Sequence, residues 1–67
     1  MPSAVIRNFR YREDKEVLEI TFTSGKRYRY LHVPQHVYRG MQSSFSKGGY
    51  FNRRIRERFA FERIVTV

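Results

Sequence analysis

The side chains that could do chemistry in this sequence are basic ones, and they crowd one segment, Ser46–Arg58. The arginines of this segment are Arg53, Arg54, Arg56 and Arg58. Like charges at this spacing repel one another, and Glu57 can balance only one or two of them. Because a guanidinium pairs bidentately with phosphate or carboxylate, the segment predicts a surface that binds a polyanion. A solvated surface that happens to be basic is the alternative.

The same segment carries the signals of a helix that could present these charges. Ser46 is a typical N-cap, and we expect a helix from there through about Arg58. Lys47 and two glycines at its start would leave N–H groups open to an anion. At 100° per residue the apolar side chains fall on one face and the basic ones largely on the other. The candidate nucleic-acid-binding residues are Lys47, Asn52, Arg53, Arg54 and Arg56 of this segment, with Arg27 and Arg29 of an earlier strand.

Other arrangements of polar residues do not form a convincing catalytic or metal site. His32 and His36 have the spacing of a helical metal pair, but Pro34 between them prevents one helix turn from holding both. The acids at 13–19 are typical of a solvated turn, and the serines lack a base. The glycines after Ser46 lack the spacing of a nucleotide-binding phosphate loop. We therefore expect a protein that is not an enzyme and that uses neither metal nor cofactor.

Composition limits the class of protein further. The 67 residues include 14 Lys+Arg and 6 Asp+Glu, and the segment 26–58 accounts for the whole net charge of +8. Hydrophobic residues make up 40% and aromatic residues 16%, which predicts one folded domain over residues 1–67. The absence of cysteine excludes disulfides and thiolate metal sites. No apolar run approaches the ~20 residues of a membrane span and no signal peptide is evident, so we expect a cytoplasmic protein without membrane contact.

The first half of the chain predicts an antiparallel meander of three strands. A strand over 4–11 breaks the period of two, which predicts a bulge near Arg7–Asn8. The strand over 16–23 alternates most clearly, with Leu18, Ile20 and Phe22 on one face. A turn centred on Gly25 then leads to a third strand over 27–32.

The second half predicts two short helices on one face of this sheet. The first begins after Pro34, and Val37, Tyr38, Met41 and Phe45 would form its apolar face. Gly40 is unfavourable there by about 1 kcal/mol relative to Ala. The alternating tail over 59–65 is a possible edge strand. The predicted fold class is thus α+β, a three-stranded antiparallel meander followed by two short helices.

The strand Arg27-Tyr28-Arg29-Tyr30 places its tyrosines on one face and its arginines on the other. Exposed rings could stack on unpaired bases. Because Leu18, Ile20 and Phe22 cannot fill a core alone, we expect the tyrosines beneath the helices and Arg27 and Arg29 in solvent.

The order of these motifs resembles the KTSC domain, named for the C-terminal extension of some lysyl-tRNA synthetases and found also as short bacterial proteins. The resemblance runs from about Ile6 to Ile64 and is most specific at Tyr28-x-Tyr30 and at Ser46–Arg56. Gly40 looks like a departure from it. The resemblance implies no enzymatic activity and no catalytic residues, and RNA binding has been suggested for the family from its attachment to a tRNA-charging enzyme.

Two functions of different classes are consistent with these features. The first is RNA binding, with tRNA as a candidate, through contacts to the phosphate backbone that read little sequence. The second is a protein-interaction module that docks an acidic partner or another copy of the chain. Tyr50, Phe59 and Phe61 would then serve as anchors. The oligomeric state is left open by the sequence.

Overall fold

A computed structural model describes residues 6–65. Its elements are β1 (Ile6–Arg12), β2 (Val17–Phe22), β3 (Arg27–Tyr30), α1 (Gln35–Ser43), α2 (Lys47–Arg54) and β4 (Phe61–Ile64). The strands form one antiparallel sheet in the order β1-β2-β3-β4, so the tail is an edge strand beside β3. The predicted α+β class, the meander and the C-terminal edge strand are confirmed, while the start of the first strand at 4–5 lies outside the described residues.

Strand alternation and turn chemistry explain the meander. Leu18 and Ile20 are fully buried while their neighbours in β2 are not. The register between β1 and β2 shifts between Ile6 and Asn8, which confirms the predicted bulge. Gly25 lies in the β2–β3 turn with φ of 92°, a conformation that L side chains rarely adopt. The sequence therefore determines this part of the fold locally.

The third strand is shorter than predicted. It ends at Tyr30, and His32 has a left-handed φ of 57° where the chain turns toward the helices. Next to this turn the N–H of Val33 donates to the carbonyl of Glu16 at 2.8 Å. Glu16 also has a left-handed φ, of 55°. A contact between two distant loops thus ends the strand, which strand periodicity does not predict.

The second helix is also shorter than predicted, and the expectation that it reaches Arg58 is wrong. It ends at Arg54, where the N–H groups of Ile55 and Arg56 both donate to the carbonyl of Phe51. The chain then turns back toward the sheet, and the N–H of Leu31 donates to Ala60 at 2.9 Å. Formation of β4 therefore competes with extension of α2 and ends it.

The core lies between the sheet and the two helices. Its fully or nearly fully buried members are Leu18, Ile20, Tyr30, Val33, Met41, Phe51 and Ile55. Tyr30 is 4% exposed, and the centroid of its ring lies 5.3 Å from that of Phe51. Tyr28 is half-buried beside it. The structure thus places both tyrosines on the helix side of the sheet, with Tyr30 in the core, as their alternation predicts.

Phe45 does not belong to the core, although helical spacing predicts it there. Helix α1 ends at Ser43, two residues before Phe45, and Ser44 is already extended. The Phe45 side chain is fully exposed as a result. The helical repeat of apolar residues continues to Phe45 in the sequence, but the helix itself ends before this residue.

Gly40 has a packing role that its helix propensity hides. A Cβ at this position would lie 2.8 Å from Cζ of Tyr50 and closer still to its hydroxyl oxygen. Tyr50 belongs to α2, so the glycine allows the two helices to approach. The glycine that looked like a departure thus leaves space for the ring of Tyr50.

Candidate nucleic-acid interface

The predicted contact residues fall on two opposite sides of the molecule. Tyr30 packs on Phe51 of α2, so the side chains that alternate with it in β3 point away from the helices. We call that side the open sheet face; its basic residues are Arg10, Arg12, Arg27 and Arg29. The helix-side basic surface consists of Lys47, Arg53, Arg54, Arg56 and Arg58. The structure therefore separates Arg27 and Arg29 from the other candidates.

Carboxylates lie among the basic side chains of the open sheet face. Arg27 Nη2 is 3.7 Å from Glu19 Oε1, and Arg29 Nε is 3.9 Å from Glu19 Oε2. Arg29 Nη1 also donates to Glu62 Oε1 at 3.1 Å. Arg29 thus lies between two carboxylates, which reduces the charge it offers to an external anion.

Arg10 and Arg12 extend this face and were not among the predicted contacts. They alternate with Phe9 and Tyr11, which lie opposite Ile20 and Leu18 across β1 and β2. The same alternation in the sequence could have revealed them. Two shallow depressions of about 300 and 350 Å³ lie on this face. Their lining residues are Arg7, Asn8, Arg10, Glu19, Thr21 and Arg27 in the first, and Arg12, Lys15, Val17, Glu19 and Arg29 in the second.

The helix-side basic surface has a different charge environment. Within residues 6–65 the ion pairs are those of Glu19 and Glu62, and none includes an arginine of this surface. Arg53 and Arg54 in the last turn of α2 are exposed, as are the two arginines that follow the helix. Arg58 Nε donates to the carbonyl of Arg53 at 3.2 Å, which holds these two segments together. This surface therefore presents guanidinium groups that form no ion pair among the described residues, with Glu57 beside Arg56 and Arg58 in the chain.

Two basic side chains of α2, those of Lys47 and Arg53, lie at its N-terminal end. The guanidinium of Arg53 lies so near Gly49 that a Cβ there would be 3.3 Å from Nη1. A long helical side chain leans toward the helix N-terminus, which explains this reach. Lys47 Nζ donates to the carbonyl of Ser44 at 3.1 Å. Ser46 Oγ accepts from the N–H of Gly49 at 3.1 Å, which confirms the predicted N-cap and occupies that N–H group.

Asn52 and Arg56 differ from their predicted places on the basic face of the helix: Asn52 lies within α2 but is partly buried, and Arg56 lies beyond the end of α2. Asn52 is half-buried, and its Oδ1 is inaccessible and has no hydrogen-bond partner among the described residues. Arg56 lies beyond α2 and close enough to Tyr30 to affect its ring hydroxyl. Burial raises the pKa of Tyr30 above its ordinary 10.0; Tyr28 raises it further and the Arg56 guanidinium lowers it.

Metal-binding and membrane-spanning features are absent from residues 6–65. No group of three or more His, Cys, Asp or Glu side chains has the arrangement of a metal site there. His36 lies in α1 and His32 in the turn before it, so one helix does not carry both. No helix in this range has the length and apolar character needed to cross a bilayer.

Comparison with known proteins links the chain to a family with free-standing and fused members. It is 38% identical over 61 residues to a lysine–tRNA ligase of Nostoc punctiforme. The aligned region covers 91% of this chain but 11% of the ligase. It is 35% identical over 52 residues to an uncharacterized protein of Stutzerimonas stutzeri, covering 78% of this chain and 73% of that protein. The chain thus corresponds to a minor segment of the ligases.

A solved structure agrees with the fold. The crystal structure of a KTSC domain protein from Yersinia pestis superposes with a TM-score of 0.88 at 32% identity, over 97% of this chain and 92% of that chain. The sequence model of the KTSC domain matches residues 2–59. By this match, which spans most of its 67 residues, the chain belongs to the KTSC domain family.

Proposed function

We propose that this domain binds RNA through the phosphate backbone and that the helix-side basic surface makes the principal contacts. The observation that carries the proposal is the set of exposed arginines at the end of α2 and just beyond it, which have no carboxylate partner among residues 6–65. Arginine forks match phosphate oxygens in geometry and charge. The domain would supply no catalytic group of its own.

The distribution of charge over the two sides supports this choice of surface. On the open sheet face, Glu19 and Glu62 already pair with Arg27 and Arg29. On the helix side, neither α1 nor α2 contains an acidic residue, and Glu57, between Arg56 and Arg58 in the chain, forms no ion pair among residues 6–65. A polyanion would therefore meet a stronger positive potential at the helices than at the sheet.

The fused relatives suggest which RNA to test first. The names of the ligases that carry a related segment point to tRNA as a ligand of the whole enzyme. A basic domain attached to such an enzyme would raise its affinity for tRNA without reading sequence, because phosphate contacts carry no sequence information. We therefore propose that the domain has a general affinity for RNA and that tRNA is one of its ligands.

The rival proposal, a protein-interaction module, has less support from the aromatic side chains. Tyr50 packs on Gly40, and Phe59 is half-buried against the core. Phe61 remains 54% exposed, but its ring also contacts Tyr28 and Tyr30. Two of the three anchors suggested by the sequence are thus already engaged within the domain.

The salt dependence of binding tests the proposal. Fluorescence anisotropy with labelled single-stranded RNA should show log affinity falling linearly with log salt, with a slope of about −3 to −4 for about four to six phosphate contacts. Labelled tRNA should show a fall of the same kind. A flat response to salt, or no binding at low salt, would refute phosphate binding and favour an acidic protein partner.

A further inference from the structure

We infer that Phe45 is a stacking platform for an unpaired base of the bound RNA. This inference rests on the proposed function, and it specifies the preferred ligand as RNA with single-stranded nucleotides. Phe45 lies in the linker between α1 and α2 and is fully exposed. Its neighbours in the chain are Ser43, Ser44 and Ser46, so it is an isolated apolar residue in a polar linker. The Phe45 ring is neither in the hydrophobic core nor among the side chains packed against it.

The exposure of Phe45 is a consequence of a well-bonded backbone. The N–H of Ser44 donates to the carbonyl of Met41 at 3.2 Å. The hydroxyl of Ser44 accepts from the N–H of Ser46 at 3.2 Å and donates to the carbonyl of Ser46 at 3.0 Å. Hydrogen bonds therefore hold the chain on both sides of Phe45, which presents the ring to solvent before any ligand binds.

Positive charge close to this linker identifies the class of occupant. Lys47 follows two residues later, and its Nζ bonds to the carbonyl of Ser44 beside Phe45. Arg53 leans back to Gly49, which brings its guanidinium to the first turn of α2. A nucleotide could bind to both features, because its base can stack on Phe45 while its phosphate pairs with these cations.

The Phe45 ring can stack on an unpaired base but not on bases within a duplex, because these already stack on one another. Phosphate contacts alone give no preference for single strands, because a duplex has the higher charge density. Phe45 would therefore add a preference for loops, bulges or single strands to an otherwise general affinity. Tyr28 and Tyr30 do not provide this platform, since they face the helices.

The chain offers a direct spectroscopic test because it contains no tryptophan. A Phe45→Trp variant carries a single indole, and stacking on a base quenches its fluorescence. We expect quenching on addition of single-stranded RNA and little change on addition of duplex RNA of the same sequence. Inorganic polyphosphate, which has charge but no bases, should bind without quenching. A duplex that quenches as strongly as the single strand, or binding of the single strand without quenching, would overturn the inference.

A deletion of the ring complements this test. Phe45→Ala should weaken binding of single-stranded RNA about 5- to 100-fold, as loss of one stacked base does, with an unchanged salt slope and an unchanged thermal midpoint. Phe45→Tyr should bind as the parent does, and Val65→Ala removes another exposed apolar side chain as a control.

The outcomes separate this inference from the proposed function. If the parent protein does not bind RNA at low salt, the proposed function fails. If the parent binds but Phe45→Ala binds equally well, the RNA function stands and the stacking role is refuted. If Phe45→Ala instead dissolves a dimer seen by sedimentation and leaves RNA affinity unchanged, the ring serves self-association.

Discussion

The ring of Tyr50 in α2 lies against the backbone of Gly40 in α1, at a point where even a methyl group would overlap it. This contact lies between the two helices, and α2 bears Lys47, Arg53 and Arg54 of the proposed interface. The Tyr50 ring thus packs α1 against the same helix that carries these basic residues.

Gly40→Ala should destabilise the protein by up to about 2 kcal/mol. Overpacking against Tyr50 costs about 1–3 kcal/mol, and the better helix propensity of alanine offsets about 1 kcal/mol of that loss. In a Tyr50→Ala background the overlap is absent, so Gly40→Ala should stabilise by about 1 kcal/mol. Urea denaturation of the four proteins measures the reversal of sign, and the same sign in both backgrounds would contradict the proposed packing.

Tyr30→Ala should lower the free energy of unfolding by about 2–4 kcal/mol, because it empties a core position that is 4% exposed and contacts Phe51 and Phe61. Phe45→Ala, which removes a fully exposed ring, is the matched control and should leave the thermal midpoint unchanged. A Tyr30→Ala protein that melts with the parent yet loses RNA binding would show that this ring is a contact surface instead.

The stability of the parent should fall at alkaline pH relative to a Tyr30→Phe variant. Burial, followed by the nearby Tyr28, raises the pKa of Tyr30 in the folded state above 10.0, so the fold favours the neutral phenol. This contribution is fully present below about pH 10 and is lost as pH rises through the raised pKa. Denaturant titrations at pH 8 and pH 11 measure the difference between the two proteins. A difference that stays constant over this range would exclude the titration of Tyr30 as its source.

Local patterns in the sequence predict the parts of the fold that local chemistry determines. The alternation of Leu18 and Ile20, the turn at Gly25 and the N-cap at Ser46 were all predictable, and all are confirmed. The alternation in β3 also predicts that Tyr30 faces the helices, which the structure confirms.

Contacts between distant residues explain what the sequence did not predict. The end of α2 at Arg54 depends on the return of the chain to the sheet, where Leu31 bonds to Ala60. The need for Gly40 depends on Tyr50 of the other helix. The division of the arginines between two faces is a matter of layer order, because α2 packs on the side of the sheet that β3 directs its tyrosines toward. Helix and strand periods describe each element separately and contain no such information.

Removal of charge in pairs tests whether RNA phosphates contact the helix-side basic surface. Arg53→Gln/Arg54→Gln and Arg27→Gln/Arg29→Gln remove the same charge from opposite sides of the domain, and neither pair is buried. Anisotropy titrations of one labelled RNA over a range of salt should show weaker binding and a salt slope reduced by about one unit or more for the helix pair. The sheet pair should bind within about twofold of the parent, since its charges are already paired with Glu19 and Glu62. Parental affinity and slope in the helix pair, with both thermal midpoints unchanged, would show that RNA does not bind at the helices.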